Sequence, residues 1–312
     1  MNDLDLSLLW SPFGLLLVGL CVGSFLNVLV HRLPTLVARR WWFDTAAHLD
    51  SGEGLPALLN QQPEPAGLQA RRQALAQQLQ GHLEALPALG LSRPGSHCPA
   101  CARPLRWHEN IPVLGWFLVK GRCASCGAAV RLRYPLVEAA TGLIFVGMGL
   151  RWGFEPTALL WGGWAAALLA ASLIDWETTL LPDSLTLPLL WTGLAAALMG
   201  WTLSPSAALW GALLGYSGLW LVVTVFEYAT GQHAMGGGDL KLLAALGAWL
   251  GPAALLPVIF LASVGGAAVG MWMKSQGALR EGRFVPFGPF LAGAGFMVAV
   301  LGVERFMGWV GL

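Results

Sequence analysis

Long apolar segments occupy most of the 312-residue chain, and they constrain its fold more than any other feature. A helix needs about 20 mostly apolar residues to cross the hydrocarbon layer of a membrane. Segments of roughly this length lie at 8–30, 134–150, 157–174, 184–201, 207–226, 239–251, 253–273 and 285–303. We therefore predict an all-α polytopic membrane protein with about eight transmembrane helices in the lipid bilayer.

Charged residues are scarce and unevenly distributed, which supports this prediction. Asp, Glu, Lys and Arg make up 11% of the chain, whereas soluble domains carry about 25%. Residues 134–312 hold only 6 of the 18 Lys and Arg and 9 of the 17 Asp and Glu, too few to cover a soluble domain. The apolar content excludes disorder, and the net charge of +1 argues against nucleic acid as a partner.

The positions of Lys and Arg predict the orientation, because cytoplasmic loops carry an excess of these residues. Twelve of the 18 lie in loop 31–133, and placing this loop in the cytoplasm puts 16 inside and only Arg151 and Arg305 outside. The N-terminus is then periplasmic. We accordingly divide the chain into a first transmembrane helix (1–30), a cytoplasmic loop domain (31–133) and a membrane-embedded core (134–312).

Within the loop, residues 45–90 are rich in Ala, Gln and Leu and are predicted to form a helical insertion. The breaker Gln-Gln-Pro-Glu-Pro at 61–65 precedes its longest helical run. Leucines recur there at helical spacing, at Leu68, Leu75, Leu79 and Leu83. This pattern predicts a helix whose apolar face packs on the domain or on the membrane surface.

Four of the five cysteines form two CxxC pairs, Cys98 with Cys101 and Cys123 with Cys126. Two such pairs can supply four thiolates in the tetrahedral arrangement that suits zinc. Two disulfides or a thiol redox pair are the alternatives, although a cytoplasmic loop is reducing and disfavours stable disulfides. A site closed by four thiolates is expected to organise the loop rather than to perform catalysis.

Two aspartates lie at the predicted cytoplasmic edge of the membrane. Asp175 ends the third predicted span, and Asp239 opens the sixth after Gly236, Gly237 and Gly238. Ionisable residues at such positions favour a functional role. Two carboxyl groups at a poorly hydrated site share a proton, so one can activate water while the other donates to a carbonyl oxygen. The residues alone also allow Asp239 to be the N-cap of a helix after a flexible glycine turn.

Other positions have simpler interpretations. Asp183 follows Pro182 at the start of the fourth span, where capping is expected. Glu177 lies two residues from Asp175, so the two do not share a helix face. The GxxxG pairs Gly211/Gly215 and Gly266/Gly270 permit close helix contacts, which packing within one chain explains as well as association between chains.

These motifs together resemble the type IV prepilin leader peptidases, most closely the bifunctional peptidase/N-methyltransferases. The resemblance covers nearly the whole chain apart from 45–90. It rests on motifs at 23–34 (GSFLNVLVHRLP), 109–112 (ENIP), 121–123 (GRC), 133–138 (RYPLVE), 175 with 181–183 (D and LPD), 236–241 (GGGDLK) and 286–290 (PFGPF).

The resemblance implies a GxGD-type aspartyl protease with Asp175 and Asp239 as its catalytic pair. Gly236 and Gly238 match the glycines of that motif, and Lys241 follows in it. Glu177 stands where the family usually has a second aspartate, a conservative departure. The implied substrates are type IV prepilins and type II secretion pseudopilins, whose short basic leader is cut at the cytoplasmic face of the inner membrane.

The resemblance also implies N-methylation of the new N-terminal residue from S-adenosylmethionine. The family associates this activity with the zinc loop, and candidate contributors are Glu109, Asn110, Gly121, Arg122 and Glu138. Read without the resemblance, Gly121 is a turn residue and Glu138 an interfacial carboxylate that caps the second span. A peptidase without methylation, a non-enzymatic scaffold of pilus assembly and an ion-coupled transporter remain as alternatives.

Overall fold

The structure, a computed structural model, describes residues 6–52, 65–232, 235–277 and 285–310. Nine helices of fourteen or more residues make up most of this part of the chain. In chain order they are α1 (Pro12–Ser51), α2 (Ala66–Glu84), α3 (Arg133–Trp152), α4 (Pro156–Thr178), α5 (Asp183–Leu198), α6 (Pro205–Thr230), α7 (Gly237–Leu250), α8 (Leu255–Ser275) and α9 (Gly288–Leu301).

Every predicted apolar segment lies largely within one of these helices, which confirms the all-α membrane architecture. By length and composition, α1, α4, α6 and the stretch Pro252–Ser275 containing α8 could each cross a membrane, while α5 and α9 are shorter apolar helices. No β-strand occurs in the described residues, where pairing is limited to two isolated bridges in the cysteine loop.

The first helix is longer than predicted. The apolar pattern ends near residue 30, but α1 continues through Pro34 to Ser51. The apolar pattern reports only the part of a helix that requires a lipid or protein environment, so it did not detect the polar continuation. The predicted helix after the breaker is confirmed as α2. Leu68 and Leu75 on that helix are exposed rather than packed. Residues 61–64 of the breaker lie outside the described residues. So do Arg280 and Arg283, two of the 16 Lys and Arg residues predicted to lie inside.

Two compact units divide the chain: residues 31–106, and residues 1–30 with 107–312. In the first unit, arginine side chains on the continuation of α1 hold the segment that follows α2. Arg32 Nη1 donates to the Gly90 carbonyl at 3.0 Å, and Arg39 Nη1 donates to the Pro87 carbonyl at 2.7 Å. These bonds satisfy backbone carbonyls in an irregular segment.

Helix α7 lies at the centre of the second unit. Ten of its fourteen residues are buried, including Asp239 and Trp249. The Trp249 ring lies among other buried tryptophans, 5.3 Å from Trp161 and 5.9 Å from Trp164 between ring centroids. Its Nε1 donates to the Leu189 carbonyl on α5 at 2.8 Å, so the buried polar atom is satisfied.

Glycines allow α6 and α7 to touch backbone to backbone. A Cβ added to Gly211 would lie 2.0 Å from the Gly247 oxygen, and one added to Gly247 would lie 2.1 Å from the Gly211 oxygen. Gly215 continues this contact, since its Cβ would lie 2.7 Å from the Leu243 oxygen. The Gly211/Gly215 motif therefore serves packing within the chain, and it holds in place the helix that carries Asp239.

Gly211→Ala should lower the free energy of unfolding by about 2–3 kcal/mol, because the added methyl group overlaps the α7 backbone. Gly218→Ala on the same helix is the matched control, since no atom lies within 4 Å of its added Cβ. The control should leave stability unchanged or slightly raised. Thermal unfolding of the detergent-solubilised protein measures both, and equal stability of the two variants would contradict this contact.

Candidate functional site

Asp175 lies in the last turn of α4 and is almost fully buried, with 5% of its surface exposed. Its Oδ2 accepts a hydrogen bond from the backbone N–H of Gly288 at 3.0 Å. Gly288 is the first residue of α9, so the carboxylate meets the amino end of a helix. Free N–H groups at such an end favour negative charge.

Only glycine fits opposite Asp175. A Cβ added to Gly288 would lie 2.6 Å from Asp175 Oδ2 and 2.9 Å from Leu181 Cδ1. Both distances are shorter than real Cβ contacts, so a side chain here would displace the carboxyl group. Gly288 belongs to the Pro286–Phe290 motif, and the sequence alone did not indicate that this motif contacts the first aspartate.

Asp239 lies in the first turn of α7 with 9% of its surface exposed. The N-cap position of α7 belongs to Gly236, and Asp239 does not cap the helix. Its Oδ1 atom is buried and has no hydrogen-bond partner among the described residues. The alternative in which Asp239 is only a helix N-cap is therefore wrong.

The structure brings the two aspartates together. Their carboxyl groups lie close enough to interact electrostatically. Leu181 lies against the segments that carry Gly238 and Gly288. A Cβ added to Gly238 would lie 2.6 Å from Leu181 Cβ, and one added to Gly288 would lie 2.9 Å from Leu181 Cδ1. Gly236, in contrast, faces open space. The pair therefore consists of two buried carboxyl groups at helix ends, and no described residue covers the Gly236 side of the neighbouring glycine turn. Such a pair can activate a water molecule for attack on a peptide bond.

Two ion pairs flank this pair of aspartates. Glu177 Oε1 pairs with Arg133 at the start of α3. Lys241 Nζ donates to Asp183 Oδ1 at 2.6 Å and so joins α7 to α5. Asp183 was predicted to cap α5; instead it lies in the first turn without a capping bond, and its carboxylate is directed to Lys241. Neither of these acidic residues has a hydrogen bond to the aspartate pair.

The two CxxC motifs fold into equivalent turns. In the first turn, the Cys98 N–H donates to the Arg103 carbonyl and the Ala102 N–H to the Cys98 carbonyl, both at 2.9 Å. In the second, the Cys123 N–H donates to Ala128 at 2.8 Å and the Gly127 N–H to Cys123 at 2.9 Å. The residue after the second cysteine has positive φ in both turns, +56° at Ala102 and +71° at Gly127.

The four cysteine Sγ atoms, of Cys98, Cys101, Cys123 and Cys126, lie within 4.8 Å of one another. Thiolates around a tetrahedral zinc ion, with Zn–S distances of about 2.3 Å, are about 3.8 Å apart, which falls within this limit. The residues present could therefore hold a metal ion. None of these four cysteines forms a disulfide in the structure, so the disulfide alternative finds no support in it.

A turn before α3 folds onto Glu138. Glu138 Oε2 accepts a hydrogen bond from the Val113 N–H at 2.6 Å, and the Ser24 side chain on α1 also bonds to this carboxylate. Val113 has a φ of +61°, which is rare for a β-branched residue. Glu138 does not cap α3, because its partners come from other segments. No motif in the sequence indicates the contact between Val113 and Glu138.

The other residues proposed from the resemblance lie along the same loop. Glu109 and Asn110 belong to a 3₁₀ turn at Trp107–Asn110, and Asn110 is exposed. Gly121 has a φ of +64° and packs against the Trp116 ring, which confirms a turn there. Arg122 is exposed at the start of the second cysteine turn. In the described residues the partners of Glu138 are Val113 and Ser24, so the structure does not bring Asn110 or Arg122 to its carboxylate.

Comparison with known proteins identifies the relatives of this chain. Residues 17–152 match the bacterial peptidase A24 N-terminal domain, and residues 163–271 match the type IV leader peptidase family. No solved structure matches the chain.

Curated relatives cover almost the whole chain, and each is named prepilin leader peptidase/N-methyltransferase. One from Burkholderia pseudomallei (strain K96243) is 41% identical over 94% of this chain and 86% of its own length. One from Pseudomonas aeruginosa is 42% identical over 92% and 89%, and one from Neisseria gonorrhoeae is 38% identical over 94% and 92%. With both halves of the chain matched in this way, the protein belongs to the type IV leader peptidase family.

Proposed function

We propose that this chain, a multi-pass protein of the bacterial inner membrane, removes the leader of type IV prepilins or pseudopilins and N-methylates the new terminus. Two observations support it together: relatives about 40% identical carry both activities in their names, and the chain buries two interacting carboxyl groups at the ends of apolar helices. The two carboxyl groups supply the acid–base chemistry that peptide-bond cleavage by a leader peptidase requires.

Asp175 and Asp239 are the catalytic residues of this proposal. The Gly288 N–H stabilises the anionic form of Asp175, so Asp175 takes the proton of the attacking water. Oδ1 of Asp239 receives no such bond within the described residues, so Asp239 holds the proton that it donates to the carbonyl oxygen. Collapse of the tetrahedral intermediate then breaks the C–N bond, and the leaving amine takes a proton from the pair.

The proposed orientation brings the substrate to this site. With loop 31–133 in the cytoplasm, both aspartates lie at the inner face of the membrane, and the N-terminus is periplasmic. The apolar helix of the substrate enters laterally between the spans, and its basic leader lies over the cytoplasmic side. Gly236 leaves room for an extended peptide beside Asp239, and Gly238 lets the same turn pack against Leu181. The Lys241–Asp183 and Arg133–Glu177 pairs join the neighbouring helix ends.

The metal of the four cysteines is proposed to be zinc, held by Cys98, Cys101, Cys123 and Cys126 in a structural role. S-adenosylmethionine is proposed as the methyl donor, which supplies an electrophilic methyl group when bound. The residues proposed to bind S-adenosylmethionine are Glu109, Asn110, Gly121 and Arg122, all in the loop that the zinc would organise. We propose the domain boundaries 1–30 for the first transmembrane helix, 31–133 for the cytoplasmic loop domain and 134–312 for the membrane-embedded core.

Asp175→Asn and Asp239→Asn should each lower the rate of prepilin cleavage by at least about 10³-fold, because each removes one proton-transfer group of the pair. Asp44→Asn, at an exposed position of α1, is the matched control and should cleave normally. The assay follows leader loss by gel electrophoresis with the purified protein in detergent. Cleavage by both pair variants at the control rate would contradict the assignment of the two aspartates, and absence of cleavage by the parent and the control would favour a scaffold.

Gly288→Ala should lower kcat for cleavage by about 10²-fold or more with little change in KM, since its methyl group displaces the Asp175 carboxylate. Gly293→Ala on the same helix has no atom within 4 Å of its added Cβ and should retain full activity. In the double variant Gly288→Ala/Leu181→Ala, the added methyl group no longer overlaps Leu181 but still overlaps the Asp175 carboxylate. Recovery of activity in this double variant would show that Asp175 is not the group affected.

The two cysteine turns predict opposite effects of matched substitutions. Ala102→Gly removes a side chain from a position with positive φ and should relieve strain in the first turn. Gly127→Ala adds a side chain at such a position and should strain the second turn, and each change amounts to about 1–2 kcal/mol. Zinc loss to a chelator, followed with a metal-binding dye, should slow at least about fivefold in the first variant and accelerate comparably in the second. Unchanged rates in both would contradict the assignment of these turns to a zinc site.

A further inference from the structure

The carboxylate of Glu138 is held by neutral groups only. Its partners in the described part of the chain are the Val113 backbone N–H and the Ser24 side chain. The nearby acids differ, because Glu177 pairs with Arg133 and Asp183 pairs with Lys241. A half-buried carboxylate that accepts two neutral hydrogen bonds keeps lone pairs and an uncompensated charge, and it attracts a cation.

The segments around Glu138 are closely packed, and the turn that contacts its carboxylate is strained. A Cβ added to Gly23 on α1 would lie 2.7 Å from the Glu138 Cα, so α1 and α3 pack tightly at this level. Val113 is held at a φ of +61°, a strained conformation that costs about 1–3 kcal/mol. Strain of this kind persists where the surroundings fix it, and here the hydrogen bond to Glu138 fixes the turn that follows Glu109 and Asn110.

Glu138 also lies near the peptidase site along the chain of contacts. Arg133 on its own helix pairs with Glu177, which is two residues from Asp175. Glu138 lies five positions after Arg133, about 7–8 Å along the axis of α3. The peptidase site and Glu138 are thus connected through one helix, α3, and one ion pair.

We propose that Glu138 binds the α-ammonium group of the newly cleaved polypeptide and accepts its proton before methyl transfer. This inference rests on the proposed function and deepens it, because it names the residue that receives the amine. The role differs from the cofactor binding implied by the resemblance. The positively charged N-terminus is the missing counter-ion of a carboxylate that the protein otherwise surrounds with neutral donors.

The proposed step is balanced. The ammonium group gives one proton to the Glu138 carboxylate and becomes a neutral amine. The amine nitrogen then forms a bond to the methyl carbon of a sulfonium donor while the carbon–sulfur bond breaks and its electron pair stays on sulfur. The product is a secondary ammonium ion, and Glu138 releases its proton to water.

Glu138→Gln tests this role, because glutamine keeps an acceptor for the Val113 N–H but loses the charge. With a prepilin and S-adenosylmethionine, the variant should cleave at the parent rate and methylate at least about 10²-fold more slowly by mass spectrometry. Normal cleavage shows that the variant is folded and that the proposed peptidase holds. Glu155→Gln, an exposed acid at the start of α4, is the matched control and should do both.

A binding measurement without methyl donor isolates the ammonium group. A peptide beginning at the mature N-terminus should bind the parent protein at least about tenfold more tightly with a free than with an acetylated terminus, and equally in Glu138→Gln. Methylation at the parent rate by Glu138→Gln, or a preserved preference for the free terminus, would overturn the inference. Absence of cleavage by the parent protein would instead overturn the proposed function.

Discussion

The burial of two carboxyl groups inside an apolar helix bundle is the constraint on which the rest of the structure depends. Asp175 and Asp239 are 5% and 9% exposed, and their charge cannot be solvated there as in water. The protein offsets part of this cost with the Gly288 N–H at the amino end of a helix, which donates to Asp175. Two ion pairs join the neighbouring helix ends. A structural core has no need of such a pair, whereas the cleavage of a peptide bond does.

Glycine makes these arrangements possible because it lets segments approach more closely than any side chain allows. Gly288 leaves room for the Asp175 carboxylate, and Gly238 leaves room for Leu181. Gly211 and Gly247 bring α6 against the helix that carries Asp239, and Gly23 brings α1 against Glu138. Both proposed chemical sites thus lie where helices meet at glycines, and the carboxylates of Asp175 and Glu138 each accept a backbone N–H from a distant segment.

The sequence predicted the features that depend on local pattern and missed those that depend on distant contacts. Apolar length located the apolar helices, and the CxxC spacing located the thiol cluster. The placement of Asp175 and Asp239 at the same membrane face, which came from charge counting, stays a prediction. The Gly288–Asp175 bond joins residues 113 positions apart, so no periodicity reports it. The pairing of Asp183 with Lys241 displaced a predicted cap for the same reason, and α1 continued beyond its apolar pattern because polar residues also form helices.

The central claim is that one chain both cleaves and methylates, and the intact mass of its product tests it most directly. A purified prepilin is incubated with the purified protein and S-adenosylmethionine, and its mass is then measured. The account predicts loss of the leader together with a gain of about 14 Da, the mass added by one methyl group in place of hydrogen. A prepilin of unchanged mass, with an active relative cleaving the same substrate alongside, would contradict it.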